Sequence, residues 1–358
     1  MKNKKFFKLL ILFLVILLPF VALEIATRLI FESKTVLNIN IGGMKKYHPT
    51  RRTQLKRNYR AKNISINSFG ILGPEFKLQP DPHGIRILTI GDSVTFNPPQ
   101  RNYPIVLEEK LQEFFPHRDI EVINGAVPGY STYEALDWYH DFLFKLKPDI
   151  AIIYLGWNDI GQYQPFGLRY KNENKSYRER SLIGILMEHF YLLRVPYFFI
   201  GRIEKSKPID LSPLTTKEKE ILGGFHPIHY ENNLKSLIGE LKKQNVDVYL
   251  VSLAGLVTYH PTAKELKKML HFPRGMREKL EIYKGVYSKY NKTLEKISRS
   301  SHAPLIDLRK IILNPSQRGI FTDTCHINVR GAERYGAFIA ETIREKVGEI
   351  LVRKTRTY

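Results

Sequence analysis

The chain has 358 residues, 43% of them hydrophobic, and carries 56 Lys and Arg against 35 Asp and Glu, a formal net charge of +21. That length and apolar content suffice for one large α/β core with an insertion, or for two small domains. The single cysteine, Cys325, excludes an intramolecular disulfide and a cysteine-based zinc cluster.

The positive balance points to an acidic partner, either an anionic membrane surface or an anionic polymer. No zinc-finger, RNA-binding or helix-turn-helix signature accompanies it, so nucleic acid is not expected. At the N-terminus, Lys2, Lys4, Lys5 and Lys8 precede an uninterrupted apolar run over residues 9–23, and apolar positions resume at Ile25, Ala26, Leu29 and Ile30 around Glu24 and Arg28. The uninterrupted run covers about 22 Å as helix against about 30 Å of hydrocarbon. Crossing therefore requires Phe6, Phe7 and the far flank, with Lys8 and Arg28 snorkelling to the interfaces. The expectation is a signal anchor over residues 1–33, with its lysine-rich start in the cytoplasm and the rest of the chain extracytoplasmic. Secretion after signal cleavage is the alternative, disfavoured because no small-x-small cleavage site follows the apolar core.

Residues 34–84 read as a lead-in segment. Lys45, Lys46, Arg51, Arg52, Lys56, Arg57, Arg60 and Lys62 follow one another with no acidic residue between them. Such a run fits a patch held against anionic headgroups, and equally a solvated basic linker.

An α/β pattern begins after Gly84. Residues 85–90 read as a buried strand, and further apolar strands are expected at 120–124, 150–155, 246–253 and 303–308. Helical periodicity occupies 103–115, 132–146, 230–244, 276–298 and 330–347. Regular alternation argues for a parallel sheet covered on both faces, with one domain over residues 85–350. An insertion at about 161–225 interrupts it. Its apolar centre, 182–200, is broken by Glu188, His189 and Arg194 and is bent or ended at Pro196. It reads as an amphipathic helix packed on the domain, which could also form a lid or acyl-binding wall beside Ser93.

Three motifs sit at element ends in this pattern. Gly91-Asp92-Ser93 closes the first strand, Gly156-Trp157-Asn158-Asp159 follows the third, and Asp323-Thr324-Cys325-His326 opens onto the last helix. Ligands bind at the C-terminal edge of parallel sheets. Together the motifs supply a nucleophile, an oxyanion donor, an orienting carboxylate and a base, the roles that acyl transfer through a serine requires. Each has a plainer reading alone, since Ser93 could merely cap a helix and Asn158-Asp159 could be a simple turn. Their conjunction in this order carries the inference. Asp92 and Asp159 read as loop-bracing acceptors. His226 and His229, with His260 and His271 later, suggest a metal site only weakly, because Pro227 lies between the first two and no carboxylate-rich partner is near in sequence. No metal or other cofactor is expected.

On these residues the chain resembles the SGNH, or GDSL-type, hydrolases. The blocks of that family correspond to Gly91-Asp92-Ser93, residues 124–129, Gly156 to Asp159, and Asp323 to His326. Asn67-Ser68-Phe69-Gly70-Ile71 with Gly73-Pro74-Glu75 is similar to the segment before the catalytic strand in membrane-anchored members. The resemblance implies a three-layer α/β/α sandwich of flavodoxin type, with a five-stranded parallel sheet. It also implies that Ser93 attacks the acyl carbonyl, that His326 takes and returns the proton, and that Asp323 orients the imidazole. The oxyanion would be held by the backbone N–H groups of Ser93 and Ala126 and the side-chain amide of Asn158. The expected function is that of a membrane-anchored extracytoplasmic esterase cleaving a carboxylic ester, such as an O-acyl group on a glycan or a lipid. An O-acyltransferase with the same triad and a non-catalytic glycan- or partner-binding module are the alternatives.

Overall fold

A computed structural model of the chain describes residues 2–31, 43–61, 63–162, 209–269 and 279–356, together with 165, 190 and 192. The first element is helix α1 (Lys2–Phe31), which continues through Glu24 and Arg28. Within it Phe6–Thr27 is a 22-residue stretch of mean hydropathy 2.9, about 33 Å long and sufficient for a hydrocarbon core of about 30 Å. The interior Pro19 does not end the helix. Phe6, Phe7, Phe13, Ile16 and Leu18 are exposed, as lipid-facing positions would be and core positions of a soluble protein would not. A signal sequence meets the same criteria.

The helix expected at 182–200 falls outside the described residues, apart from Phe190 and Leu192. Those two touch α1: the Phe20 and Phe190 rings meet edge-on at 5.4 Å, and the Leu192 N–H donates to Glu24 Oε2 at 2.9 Å.

The lead-in segment is built from two antiparallel hairpins that the sequence reading did not foresee. Strand β1 (Lys45–His48) pairs with β2 (Arg52–Leu55), and β3 (Arg60–Ala61) with β4 (Ile64–Ser65). Two members of the basic run fit neither expectation. Lys45 and Arg51 are buried. The Arg51 guanidinium donates to Asp137 Oδ2 at 2.9 Å and Asp141 Oδ2 at 2.8 Å and lies 4.9 Å over the Trp138 ring. A guanidinium satisfies such carboxylates bidentately and stacks on indole, so it is worth more inside than facing solvent. Lys46, Arg57 and Arg60 remain exposed, while Lys62 is outside the described residues.

The central sheet has five parallel strands: β5 (Ile85–Gly91), β6 (Ile120–Asn124), β7 (Ile150–Tyr154), β8 (Asp247–Val251) and β9 (Leu305–Ile306). Their order is β6-β5-β7-β8-β9. Every residue of β5 and β7 is buried, the continuous pattern of strands covered on both faces. On one face lie α3 (Tyr103–Phe114) and α10 (Val329–Arg356), packed together, with α10 against β5 and α3 against β6. The other face carries α4 (Thr132–Asp141), α7 (Ile228–Lys243) and α9 (Leu280–Ser300), which pack on one another. Shorter helices α2 (Ser93–Phe96), α5 (Trp157–Gln162), α6 (Thr216–Gly224) and α8 (Ala263–Lys268) complete the set named here. This is the three-layer α/β/α arrangement with five parallel strands.

Helix α10 shows why the final helix forms where it does. Ala332, Tyr335, Ile339, Ile343, Val347 and Ile350 repeat every three or four residues and are all buried, each large side chain contributing about 1.5–3 kcal/mol. Asn328 caps it, its Oδ1 accepting from the Gly331 N–H at 3.0 Å. Two elements depart from expectation. The helix over 132–146 stops at Asp141, because Phe142 leaves helical geometry (φ −145, ψ −46), and a 3-10 turn, Leu143–Leu146, follows. The strand over 303–308 shortens to Leu305–Ile306 at the sheet edge, where only β8 pairs with it.

The turn after β5 depends on a missing side chain. A Cβ on Gly91 would lie 2.1 Å from Thr95 Oγ1 and 2.5 Å from Thr95 Cβ. Gly91→Ala is therefore expected to destabilise the protein by about 1–3 kcal/mol. A melting curve that matches wild type would contradict that packing.

Candidate active site

Strand β5 delivers Ser93 through a tight elbow. Asp92 caps α2, its Oδ1 accepting from the Val94 N–H at 2.9 Å, so the chain turns into a helix as soon as it leaves the sheet. Ser93 thereby stands at the C-terminal edge of β5, flanked by the ends of β6 and β7. Beyond β7, Gly156 adopts φ +139, and a Cβ there would lie 2.9 Å from Leu253 Cδ1. That bend starts α5 and sets Asn158 in its first turn.

Asp323 and His326 come from the loop before α10. The loop is pinned from both sides: Leu256 N–H donates to the Thr324 carbonyl at 2.8 Å, and Thr322 N–H to the His326 carbonyl at 2.9 Å. Asp323 Oδ1 accepts the backbone N–H groups of Cys325 at 3.0 Å and His326 at 2.9 Å. One carboxylate thus folds the Asp-x-x-His segment and also reaches the imidazole.

The three side chains form one hydrogen-bonded line. His326 Nε2 lies 2.7 Å from Ser93 Oγ across 233 residues of sequence. His326 Nδ1 lies 2.8 Å from Asp323 Oδ2 and 3.1 Å from Oδ1. Burial pushes the His326 pKa down, but the Asp323 hydrogen bond and charge, with the charge of Asp92, outweigh it and raise it above 6.5. Such an imidazole is well held, in one tautomer, for accepting a proton at Nε2.

The Asn158 side-chain amide is anchored beside this line. Its Nδ2 donates to the Tyr130 carbonyl at 3.0 Å and to Asp92 Oδ2 at 3.2 Å. Asp92 is fully buried, and burial pushes its carboxyl up to about 6 against the opposing pull of Val94, His326 and Asn158. Asp159 likewise braces a loop, accepting the Thr132 hydroxyl at 2.5 Å and its N–H at 3.1 Å.

Ala126 lies at the end of β6, but its N–H is already donated to Asn124 Oδ1 at 3.2 Å. Among the described residues, the N–H groups of Ser93 and Gly129 donate to no protein acceptor. Gly129, with φ +88, closes the 124–129 block but is not among the donors expected from the sequence. The Pro128-Gly129 turn dipeptide was the available signal, and its position next to Tyr130 puts it in the loop that holds Asn158.

The histidines considered for metal behave differently. His226 Nε2 lies 2.5 Å from Glu231 Oε2, and Glu231 Oε1 also receives Lys235 at 2.5 Å. His271 is outside the described residues. Ligand atoms of Asp323, Cys325 and His326 lie within 4.8 Å of one another, but both imidazole nitrogens are committed to Ser93 and Asp323.

A parallel sheet whose C-terminal edge joins a serine, a histidine and an aspartate in one proton-transfer line is the architecture of a serine hydrolase. Residues 89–334 match the GDSL-like Lipase/Acylhydrolase family, and the chain belongs to that family. It is accordingly a hydrolase acting on carboxylic ester bonds. No curated protein matches the sequence. Among solved structures, the acetyl xylan esterase AlAXEase is 17% identical, covering 72% of this chain and 100% of its own, at a TM-score of 0.44. A lipase/acylhydrolase from Enterococcus faecalis is 16% identical, covering 73% of this chain and 96% of its own, at a TM-score of 0.42. LAE5, an alpha/beta hydrolase from the metagenome of Lake Arreo, Spain, is 15% identical, covering 74% of this chain and 95% of its own, at a TM-score of 0.45. These likenesses are too distant to transfer a substrate.

Proposed function

We propose that Ser93, His326 and Asp323 are the catalytic triad of a membrane-anchored, extracytoplasmic esterase. The observation that carries this reading is the 2.7 Å contact between His326 Nε2 and Ser93 Oγ. His326 takes the hydroxyl proton as Ser93 attacks the acyl carbonyl, then gives it to the departing alkoxide. Water, activated by the same imidazole, releases the acid from the acyl-serine. Ser93 N–H, one further donor from the loop after β6 and the Asn158 amide hold the oxyanion, the amide by giving up one of its resting contacts to the Tyr130 carbonyl and Asp92 Oδ2. Ala126 takes that third place only by leaving Asn124, whereas Gly129 takes it with no bond to break.

The proposed domain boundaries are those of the sequence: an anchor over 1–33, a lead-in over 34–84, and the hydrolase over 85–350 with its insertion at about 161–225. The length and apolarity of α1 support the anchor, and the lysines before it support a cytoplasmic start. Tethered in this way, the site would meet esters of the cell envelope, namely O-acyl groups on a glycan or a lipid.

Fluorophosphonate labelling tests the triad. Wild type should label and Ser93→Ala should not; an unlabelled but folded wild type would favour a binding module. An ester panel run with and without sugar acceptors then separates hydrolysis from transfer. Asn158→Ala is expected to lower kcat by about 10²–10³ while leaving the melting temperature close to wild type. A kcat within threefold of wild type would remove Asn158 from the oxyanion site.

A further inference from the structure

The hairpin β1–β2 grips the loop that carries the oxyanion donors. Lys45 is 4% exposed, and its ammonium donates to the Pro128 carbonyl. On the opposite strand of the hairpin, where Thr53 pairs with Tyr47, the Thr53 carbonyl accepts the Tyr130 hydroxyl at 2.7 Å. Between these two ties lies Gly129, where an added Cβ would sit 3.6 Å from Lys45 Nζ. Tyr130 in turn gives its carbonyl to the Asn158 amide at 3.0 Å. The Arg51 clasp on Asp137 and Asp141 fixes the same hairpin to α4, the helix that continues this loop.

We propose that Lys45 is a positioning residue for the esterase reaction, holding the 128–130 loop and adding a buried positive charge behind the developing oxyanion. This rests on the catalytic reading of Ser93 above. A buried ammonium has no reason to be retained for packing alone, because an apolar side chain of similar length would fill the space without desolvating a charge. Here the charge sits on the Pro128 carbonyl, in the same peptide unit as the Gly129 N–H. It strengthens that N–H as a donor and resists its withdrawal when negative charge appears. The hairpin begins soon after the membrane helix, so the membrane-proximal part of the chain becomes a working part of the site.

The test uses the full-length protein in detergent micelles, with a p-nitrophenyl ester as substrate and a fluorophosphonate as probe. Lys45→Met should lower kcat by about tenfold or more, with KM changed by less than about twofold, because the tie acts on the transition state. Lys45→Arg should recover part of that loss. Tyr130→Phe removes the second tie without touching the charge and should lower kcat by a smaller factor in the same sense. It also keeps the proposal testable if Lys45→Met does not fold. A Lys45→Met enzyme with wild-type kcat, or one whose loss tracks only its unfolded fraction, would overturn the clamp while Ser93-dependent labelling leaves the triad standing. Wild type that fails to label at Ser93 would overturn both.

Discussion

His326→Ala is expected to lower kcat by about 10⁶, close to the effect of removing the whole triad. The magnitude follows from position. His326 Nε2 is within 2.7 Å of the Ser93 hydroxyl. The neighbouring Cys325 thiol is buried, and burial raises its pKa well above 9.0, so it offers no replacement base. Residual turnover would come from the oxyanion donors and substrate positioning alone. Kinetics of the purified variant on a soluble ester decide the matter, and a loss under a hundredfold would mean that another group accepts the proton.

The pH profile of the wild-type enzyme follows from the same imidazole. As the proposed base, His326 would accept a proton only when neutral, and its pKa is raised above 6.5, so the acid limb of kcat/KM should lie above that value. Stability runs the other way. A raised folded-state pKa means that the His326–Asp323 ion pair contributes its full stability below about pH 6.5 and loses it as pH rises through the folded value. Asp92 adds a second effect: its carboxyl is pushed up to about 6, so acidification through that range protonates the group that accepts from Asn158. In His326→Ala the limb above 6.5 should disappear from the residual rate.

The sequence made the sheet and the three motifs legible because each strand and each motif is a local pattern. Strand β7 announces itself as a continuous apolar run and β5 as one broken only by Arg86 and Thr89, and Ser93, Asn158 and His326 each sit within three residues of a helix start. The hairpins β1–β2 and β3–β4 were hidden for the opposite reason. Their strands are short and rich in Lys and Arg, so neither an apolar run nor an alternating pattern marks them. What holds them is distant in sequence: Arg51 finds Asp137 and Asp141, and Lys45 finds Pro128. Charge alone made these residues look like surface. The loop proposed to hold the oxyanion was legible only in part, since periodicity locates the end of β6 but says nothing about which amide is left free; that depends on Asn124 folding its side chain back onto Ala126.

Asp323→Asn is expected to lower kcat by about 10⁴ with little change in structure. Two backbone N–H groups, from Cys325 and His326, already point at Oδ1. They require an acceptor there, so the asparagine carbonyl must take that place and its NH₂ must face His326 Nδ1. An NH₂ can only donate, which forces Nδ1 to accept and moves the imidazole proton to Nε2. The nitrogen 2.7 Å from Ser93 Oγ then carries a hydrogen and cannot take the serine proton. Asp323→Ala lacks this enforced tautomer and leaves the ring free to present either nitrogen, so it should retain more activity than Asp323→Asn at alkaline pH. Equal rates for the two variants across the pH range would mean that Asp323 acts through its charge rather than through the tautomer it imposes.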